Sequence, residues 1–234
     1  MEAGATEELF DLSHEYEAML NQGIRLSGES MSFFMEGRLN LLHEQVQARR
    51  RAVSGVLDFG CGLGYSSQRL SEMFAPAEVT GVDTSVNVLE TARQRHGGTG
   101  VRFTSLGDLK NQAGRYDLCY VNGVFHHISP PERPGALQLI HRALRPGGML
   151  ALFENNPWNL GARMVMARIP FDREAHMLSP LLTRKLLRQE GFEILHTGSL
   201  FFFPRVLKVL RSLERPLSWT RLGAQYLVLA ERRG

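Results

Sequence analysis

The sequence predicts an α/β fold: a Rossmann-like, doubly wound, seven-stranded and mostly parallel sheet with helices on both faces. Three observations predict it. Short apolar segments alternate with amphipathic helical segments over residues 53–154, a glycine-rich turn follows the first apolar segment, and two more strand-like segments close the chain. Alternating strands and helices imply right-handed crossovers and a mostly parallel sheet. Ligands of such sheets bind beyond the carboxyl ends of the strands.

The individual elements follow from the hydrophobic pattern. Helical patterns over residues 7–51 break near Gly23 and Gly28, and an amphipathic helix is predicted at 205–217. Strands are predicted at 55–59, 78–82, 101–105, 116–121, 149–154, 192–200 and 224–231, and helices at 65–74, 85–96, 131–144 and 181–190.

This pattern divides one structural domain into four parts. Residues 1–52 form an N-terminal helical lid, and residues 53–154 form the ligand-binding core. Residues 155–180 form a cap segment, read as irregular up to residue 179, which follows the fifth strand and therefore lies over the ligand face. Residues 181–234 complete the sheet.

The composition is that of a globular protein, with 234 residues, of which 43% are hydrophobic and 22% charged. No apolar stretch approaches the roughly 20 residues of a membrane span, and residues 1–10 lack the basic and apolar regions of a signal peptide. We therefore expect a cytoplasmic protein. Its two cysteines, Cys61 and Cys119, lack metal-ligand spacing, so the sequence predicts neither a disulfide framework nor a metal site.

The charge is unevenly distributed along the chain. The net charge is +3, and residues 163–234 hold 13 basic and 6 acidic residues. A basic region can indicate a nucleic-acid or membrane contact. Because this region has no run of five basic residues and no RNA-binding motif, the sequence argues against a nucleic-acid partner.

The glycine-rich turn connects the first strand to the first helix of the core. Gly60, Gly62 and Gly64 follow Asp58 in the spacing Asp-x-Gly-x-Gly-x-Gly, which differs from the Gly-x-Gly-x-x-Gly of dinucleotide-binding folds. Glycine lets the backbone approach a ligand closely and present its N–H groups. Asp83 ends the second strand beside this turn, where a carboxylate can accept hydrogen bonds from both hydroxyls of a ribose.

Several segments in fixed order and spacing extend this pattern: residues 58–64, residues 79–85, Asp108, residues 116–128 with two adjacent histidines, and residues 144–148. Together they resemble the class I S-adenosylmethionine-dependent methyltransferases. The resemblance implies S-adenosylmethionine as cofactor and methyl transfer as activity. It implies cofactor contacts at Asp58, Gly60, Cys61, Gly62, Gly64, Asp83, Thr84, Asp108, Leu109 and Asn122.

Within this set, Asp83 is expected to bind the ribose and Asp108 the adenine amino group. Asp58 is expected to order the loop amides or to face the methionine ammonium. The backbone carbonyls of Asn122 and Gly123 are expected to face the sulfonium and the amino group.

The N-terminal segment is expected to fold across the cofactor. Tyr16 or Phe33 and Phe34 would cover the adenosine or the methyl group, and Arg38 would pair with the methionine carboxylate. Ordinary core packing explains the aromatic residues equally well.

Methyl transfer requires alignment of the two reactants and, for an oxygen acceptor, a base. His126 and His127 follow the fourth strand and are predicted as candidates for that base, because the unperturbed pKa of histidine suits proton transfer. The alternative is a packing role for either histidine.

The acceptor is predicted to be a small molecule, with oxygen as the favoured acceptor atom. Residues 154–159 and 170–172 loosely resemble segments of bacterial small-molecule methyltransferases. Candidate substrate contacts are Glu154, Asn155, Trp158, Asp172 and His176. The alternatives are N- or C-methylation, methylation of RNA, and a non-catalytic domain that binds the cofactor and a partner.

The segment 201–217 has three open interpretations. It is an extra helix packed on the sheet, a contact in a homodimer, or a peripheral contact with a lipid surface or lipid-like substrate.

Overall fold

The computed structural model describes residues 22–98, 100–172 and 175–234. Its seven strands are β1 Gly55–Phe59, β2 Glu78–Asp83, β3 Val101–Ser105, β4 Tyr116–Asn122, β5 Leu144–Asn155, β6 Phe192–Leu200 and β7 Gln225–Arg232. Its α-helices are α1 Met31–Ala48, α2 Tyr65–Met73, α3 Val86–His96, α4 Leu106–Leu109, α5 Arg133–Ala143, α6 Leu160–Met166, α7 Pro180–Gln189 and α8 Glu214–Leu217. Short 3₁₀ helices span Arg25–Ser27, Pro170–Asp172 and Arg205–Leu213.

The strands form one sheet in the order β3-β2-β1-β4-β5-β7-β6. Strands β1 to β5 pair in parallel, and β7 is antiparallel to both β5 and β6. This confirms the predicted seven-stranded, mostly parallel sheet. Because the order reverses beside β1, the carboxyl ends of β1 and β4 lie at the point where ligands of such sheets bind.

Both faces of the sheet are covered by helices. On one face, α1 buries Leu39, Leu42 and Val46 together with Leu70 of α2 and Leu89 of α3. On the other face, Leu137 and Ile140 of α5 and Leu187 of α7 pack against the apolar residues of the strands. The β1 strand is buried along its whole length, as expected for a central parallel strand.

The cap segment differs from the sequence prediction. Residues 155–179 were expected to be irregular, but the structure contains α6 and the 3₁₀ turn Pro170–Asp172 there. The side chain of Asn159 accepts a hydrogen bond from the backbone N–H of Ala162 at 2.9 Å and so caps the start of α6. Asparagine is a strong N-cap residue, and this local signal outweighs the prolines on either side of the helix.

The predicted amphipathic helix at 205–217 is also different. It is a 3₁₀ helix with a non-helical residue at Leu207, followed by the single turn of α8, and neither part contains a buried residue. Val206 is 86% exposed and Val209 is 79% exposed. The interpretation as an extra helix packed on the sheet is therefore wrong, since within the described part of the chain no side chain of this segment is buried against the sheet, and packing is what stabilises most helices.

No helix in the described part of the chain combines the length and the apolar character that crossing a membrane requires.

Candidate functional site

The glycine-rich turn lies at the carboxyl end of β1. The backbone N–H groups of Gly60 and Cys61 donate to the carbonyl of Val82 at 2.8 and 3.0 Å, which anchors the turn on β2. A Cβ on Gly60, whose φ is +75°, would lie 2.3 Å from a methyl group of Val124. Around the equivalent position on Gly62, whose φ is +52°, no atom of the described residues lies within 4 Å. The backbone at Gly62, called the crest of the turn below, is therefore not covered by other described residues and is accessible to a ligand.

Asp83 holds this crest in place. Its Oδ2 accepts from the N–H of Gly62 at 2.9 Å, and its Oδ1 accepts from the N–H of Ser85 at 3.1 Å. The hydroxyl of Ser85 in turn accepts from the N–H of Val88 at 3.3 Å and so caps α3. One carboxylate thus fixes the turn, the end of β2 and the start of α3. Thr84 follows it directly and is exposed.

Asp58 is buried beneath the turn, with 2% of its surface exposed. Burial raises the pKa of its carboxyl to about 7, although the hydroxyl of Ser67, which donates to it at 2.6 Å, partly opposes this shift. Asp83 nearby raises the pKa further. The hydrogen bond joins β1 to α2, so Asp58 orders the loop from below.

The raised pKa of Asp58 has a measurable effect on stability. The folded state keeps this proton up to about pH 7, whereas the ordinary pKa of an aspartate carboxyl is 3.8. The free energy of unfolding should therefore fall as the pH rises from about 4 to 7. At about 1.4 kcal/mol per pKa unit, the charged carboxylate costs up to about 4 kcal/mol above this range. Asp58→Asn should be more stable than the parent protein at pH 8, with the difference vanishing near pH 4.

Urea denaturation at a series of pH values measures this effect. The exposed Glu44 on α1 provides the control, because Glu44→Gln should change the stability little at any pH. A constant difference between Asp58→Asn and the parent protein from pH 4 to 8 would contradict the assignment.

Asp108 lies on α4, at the same edge of the sheet as Asp83. Ser105, just before α4, pairs with Asp83 across β3 and β2. The hydroxyls of Ser105 and Thr104 donate to Oδ2 of Asp108 at 2.7 and 3.0 Å, and these hydrogen bonds lower the pKa of the carboxyl. Asp108 is exposed, whereas the side chain of Leu109 is buried in the core. Asp108 is thus the member of this pair whose side chain is available to a ligand.

Three further residues were predicted to contact the cofactor: Cys61, Asn122 and Tyr16. Cys61 is buried, and burial raises the pKa of its thiol. Asn122 ends β4 and pairs with Phe153, whose carbonyl accepts from the N–H of Gly123 at 3.0 Å. Tyr16 lies outside the described residues.

Arg38 lies on α1 with its guanidinium directed toward the end of the sheet. It is buried, and it donates to the hydroxyl of Tyr120 at 3.3 Å and to Oε1 of Gln225 at 3.0 Å. Gln225 donates in turn to Oδ1 of Asn155 at 3.0 Å. Two predicted residues, Arg38 and Asn155, therefore belong to one hydrogen-bonded chain. Because the guanidinium of Arg38 already donates to two protein side chains, these contacts do not support the prediction that it pairs with the methionine carboxylate.

Phe33 and Phe34 meet Phe201, which follows β6. The ring centroid of Phe201 lies 5.7 Å from that of Phe33 and 4.9 Å from that of Phe34. The three rings form an aromatic cluster between α1 and the C-terminal part of the chain.

A second polar cluster lies beyond β4 and β5 and consists of His126, His127, Glu154 and Asp172. Oε1 of Glu154 accepts from the N–H of Phe125 at 2.8 Å, and Oε2 lies 2.6 Å from Nδ1 of His126. Oδ1 of Asp172 lies 3.4 Å from Nε2 of His126 and 3.3 Å from Nε2 of His127. The structure thus brings both predicted bases together with two of the predicted substrate contacts.

The two carboxylates control the charge of His126. Burial alone would lower the pKa of this imidazole, but Glu154 and Asp172 outweigh burial and raise it to about 10. Burial would also raise the pKa of Asp172, but its interactions with His126 and His127 lower it. An imidazole between two carboxylates does not present an available lone pair to a substrate. This arrangement argues against the predicted base role of His126, and the prediction for His127 stays untested.

The burial of Glu154 also argues against the prediction that it contacts the substrate directly. Only 1% of Glu154 is exposed, and both of its carboxylate oxygens are engaged within the protein. Its position indicates that it orients His126 instead.

The other predicted substrate contacts lie on the cap. Trp158 is 45% exposed, with the guanidinium of Arg221 5.9 Å from the centre of its ring. The backbone N–H of His176 donates to the carbonyl of His126 at 2.8 Å. The cap is therefore attached to the histidine cluster by its backbone as well as through Asp172.

The sequence analysis missed two residues that hold the cap. The buried Arg133 on α5 donates to the carbonyls of Phe125 and Ile128 and, at 2.6 Å, to that of His176. The buried Asn156 donates through Nδ2 to the carbonyls of Arg221 and Gly223, both at 2.8 Å. The Asn-Pro pair at residues 156–157 is a recognisable turn signal for Asn156. Arg133 gives no such signal, because it stands in the first turn of an ordinary helix.

The two parts of the site are neighbours. The close approach of Gly60 to Val124 places the glycine-rich turn against the loop that leads to His126 and His127. Backbone N–H groups and the carboxylates of Asp83 and Asp108 suit a ligand that carries hydroxyl and amino groups. The residues present therefore fit S-adenosylmethionine, with a second polar region beside it.

Comparisons with known proteins agree with this geometry. Residues 56–148 match the family model of a methyltransferase domain. Trans-aconitate 2-methyltransferase of Deinococcus radiodurans is 34% identical over 102 residues, which cover 44% of this chain and 38% of that protein. The enzyme of the same name from Variovorax paradoxus is 30% identical over 137 residues, covering 54% of this chain and 52% of that one. An uncharacterized protein from Synechococcus is 35% identical over 104 residues, 42% of this chain and 24% of that protein. The chain thus spans about half or less of the length of these curated relatives.

Solved structures show the same fold. A methyltransferase from Thermotoga maritima, described as a possible histamine N-methyltransferase, has a TM-score of 0.66 at 19% identity and covers 97% of this chain and 100% of its own. Magnesium protoporphyrin IX methyltransferase from Synechocystis, solved with S-adenosylhomocysteine bound, has a TM-score of 0.60 at 22% identity, with 90% and 86% coverage. At these identities the likeness concerns the fold.

Proposed function

We propose, on the premise that this chain belongs to the class I S-adenosylmethionine-dependent methyltransferases, that it transfers a methyl group to a small-molecule acceptor, with oxygen as the favoured acceptor atom. The cofactor is S-adenosylmethionine. The observation that carries the proposal is the hydrogen bond that the backbone N–H of Gly62 donates to the carboxylate of Asp83, at a turn where no described atom lies within 4 Å of a Cβ position on Gly62. This part of the structure supplies a carboxylate for the ribose and accessible backbone groups for the methionine part of the cofactor.

The chemistry requires binding and alignment of the two reactants and, for a hydroxyl acceptor, a base that takes its proton, for which His127 stays the predicted candidate. When bound, S-adenosylmethionine would supply a methyl group on a sulfonium: the bond from the acceptor to the methyl carbon would form as the S–CH3 bond breaks, with S-adenosylhomocysteine as the leaving group. Alignment of two bound reactants can supply much of the rate, up to about 7–11 kcal/mol in well-oriented cases. The roles of this chain would be to hold the ribose through Asp83, the adenine amino group through Asp108, and the positive end of the cofactor near the carbonyls of Asn122 and Gly123, while the buried Asp58 orders the loop from below.

The acceptor is proposed to bind on the His127 side of the histidine cluster. Of the cluster, His127 is the residue nearest to solvent, with 19% of its side chain exposed, while His126, Glu154 and Asp172 are buried. The exposed Trp158 would form part of the adjoining wall. The names of the trans-aconitate methyltransferases support a small-molecule acceptor, although those alignments cover only about half of this chain.

Calorimetry with S-adenosylhomocysteine tests the first step, for which we expect one binding site per chain. No binding to the folded protein would refute the proposal. The second step uses S-adenosylmethionine with a labelled methyl group, added to a pool of small metabolites and, separately, to RNA. We expect label in the small-molecule fraction. Label in RNA would refute the acceptor class, and binding without transfer to any pool would favour the non-catalytic alternative.

A further inference from the structure

We propose that His126, His127 and Asp172 form a binding site for a divalent first-row transition metal, with Zn²⁺ as the best match. One ligand atom from each of these residues can be chosen so that all three lie within 4.8 Å of one another. Two imidazole nitrogens and one carboxylate oxygen are donors that Zn²⁺ and its neighbours accept, whereas Mg²⁺ and Ca²⁺ prefer oxygen ligands alone.

The distances within the cluster match those of a coordination sphere. Ligands about 2.0–2.1 Å from Zn²⁺ in a tetrahedral arrangement lie about 3.3–3.4 Å from one another. Oδ1 of Asp172 lies 3.4 Å from Nε2 of His126 and 3.3 Å from Nε2 of His127. The two pairs are thus spaced as ligands of one ion would be.

Two of the donor atoms are buried without a hydrogen-bond partner. Among the described residues, Nε2 of His126 and Oδ1 of Asp172 have no hydrogen bond of acceptable geometry, although both side chains are more than nine-tenths buried. Buried polar atoms of native proteins are almost always paired, so an orphan pair that points at a common centre requires an explanation. A cation between them would satisfy both atoms at once.

Glu154 provides the support that metal-binding histidines usually have. Its carboxylate lies 2.6 Å from Nδ1 of His126 and is itself held by the N–H of Phe125. A bound ion would take the place of the proton on Nε2 of His126, which would pass to solvent. The proton that stays on Nδ1, shared with Glu154, would then leave the Nε2 lone pair to the ion. This carboxylate–histidine arrangement is the common second shell of metal sites.

Three protein ligands leave a further coordination position. This open position would lie on the solvent-facing side of the ion, next to the partly exposed His127, where we propose that the acceptor binds. A hydroxyl or carboxylate oxygen of the acceptor could complete the sphere there, and this last point rests on the proposed function. The metal site itself does not depend on it.

The test uses the full chain after treatment with a chelator. Calorimetry with Zn²⁺ and the visible absorption of added Co²⁺ should both report one site per chain. His127→Ala and Asp172→Asn should weaken Zn²⁺ binding by more than about 100-fold, and Glu154→Gln should weaken it by about 10- to 100-fold. His43→Gln should leave it unchanged, since His43 lies on α1 against Gln47 and Phe74.

Each variant is first shown to be folded by circular dichroism and by a cooperative unfolding transition in urea. If Asp172→Asn does not fold, His127→Ala decides, because His127 is the least buried of the three ligands. No Zn²⁺ binding by the folded parent protein, or equal binding by the parent and His127→Ala, would overturn the proposal. Zn²⁺ binding without binding of S-adenosylhomocysteine would refute the proposed function and leave the metal site standing.

Discussion

Replacing Asp83 with alanine is expected to weaken the binding of S-adenosylhomocysteine by about 1.5–3 kcal/mol, which is roughly 10- to 150-fold in the dissociation constant. The carboxylate would contribute charge-assisted hydrogen bonds to the ribose. It also accepts from the N–H groups of Gly62 and Ser85, so its removal loosens the glycine-rich turn. Both effects weaken binding, and calorimetry measures their sum.

Two further variants separate the effects. Asp83→Asn keeps a carbonyl oxygen for one of the two N–H groups but loses the charge, so an intermediate affinity is expected. Glu90→Ala removes an exposed carboxylate from α3, the helix that follows Asp83, and should leave the affinity unchanged. An Asp83→Ala variant that binds as tightly as the parent protein would remove Asp83 from the cofactor site.

Replacing Glu154 with alanine should lower the free energy of unfolding by about 3–5 kcal/mol in metal-free buffer at pH 7. The substitution removes one partner from a buried ionic cluster. It leaves Nδ1 of His126 and the N–H of Phe125 without their acceptor in a region that water does not reach. Breaking a buried pair in this way costs far more than losing a surface ion pair.

Urea denaturation of three variants measures this effect. Glu154→Gln retains an amide oxygen for one of the two donors and should lose less stability than Glu154→Ala. Glu193→Ala, at an exposed position on β6, should lose no more than about 0.5 kcal/mol. A loss below about 1 kcal/mol for Glu154→Ala would show that the cluster is not the buried ionic network described above.

The core of the fold was predictable because its signals are local. The predicted bounds of β1, β3 and β6 equal the observed ones. A glycine marks the start of each strand: β1 begins at Gly55, and β3 and β6 directly follow Gly100 and Gly191. The positions of the predicted cofactor residues follow from the same local signals, because Asp83 and the glycines adjoin strand ends that a parallel sheet must bring together.

The regions after β5 were predicted less well because their structure depends on contacts. The strong cap at Asn159 was overlooked beside two prolines, so α6 was missed. The periodic apolar residues of 205–217 indicated a helix against a core, but the tertiary structure leaves those side chains exposed. A periodic pattern specifies a face and does not specify what covers it.

By itself, the sequence predicted the succession of strands and helices and the position of the glycine-rich turn, and the resemblance of its motifs to the methyltransferases implied the cofactor. Only the tertiary structure decided what the histidines after β4 do. Glu154 comes from the next strand and Asp172 from the cap, and no short-range pattern joins them to His126. Charge and coordination depend on distances of a few ångströms between atoms, and only folding brings these distant segments that close.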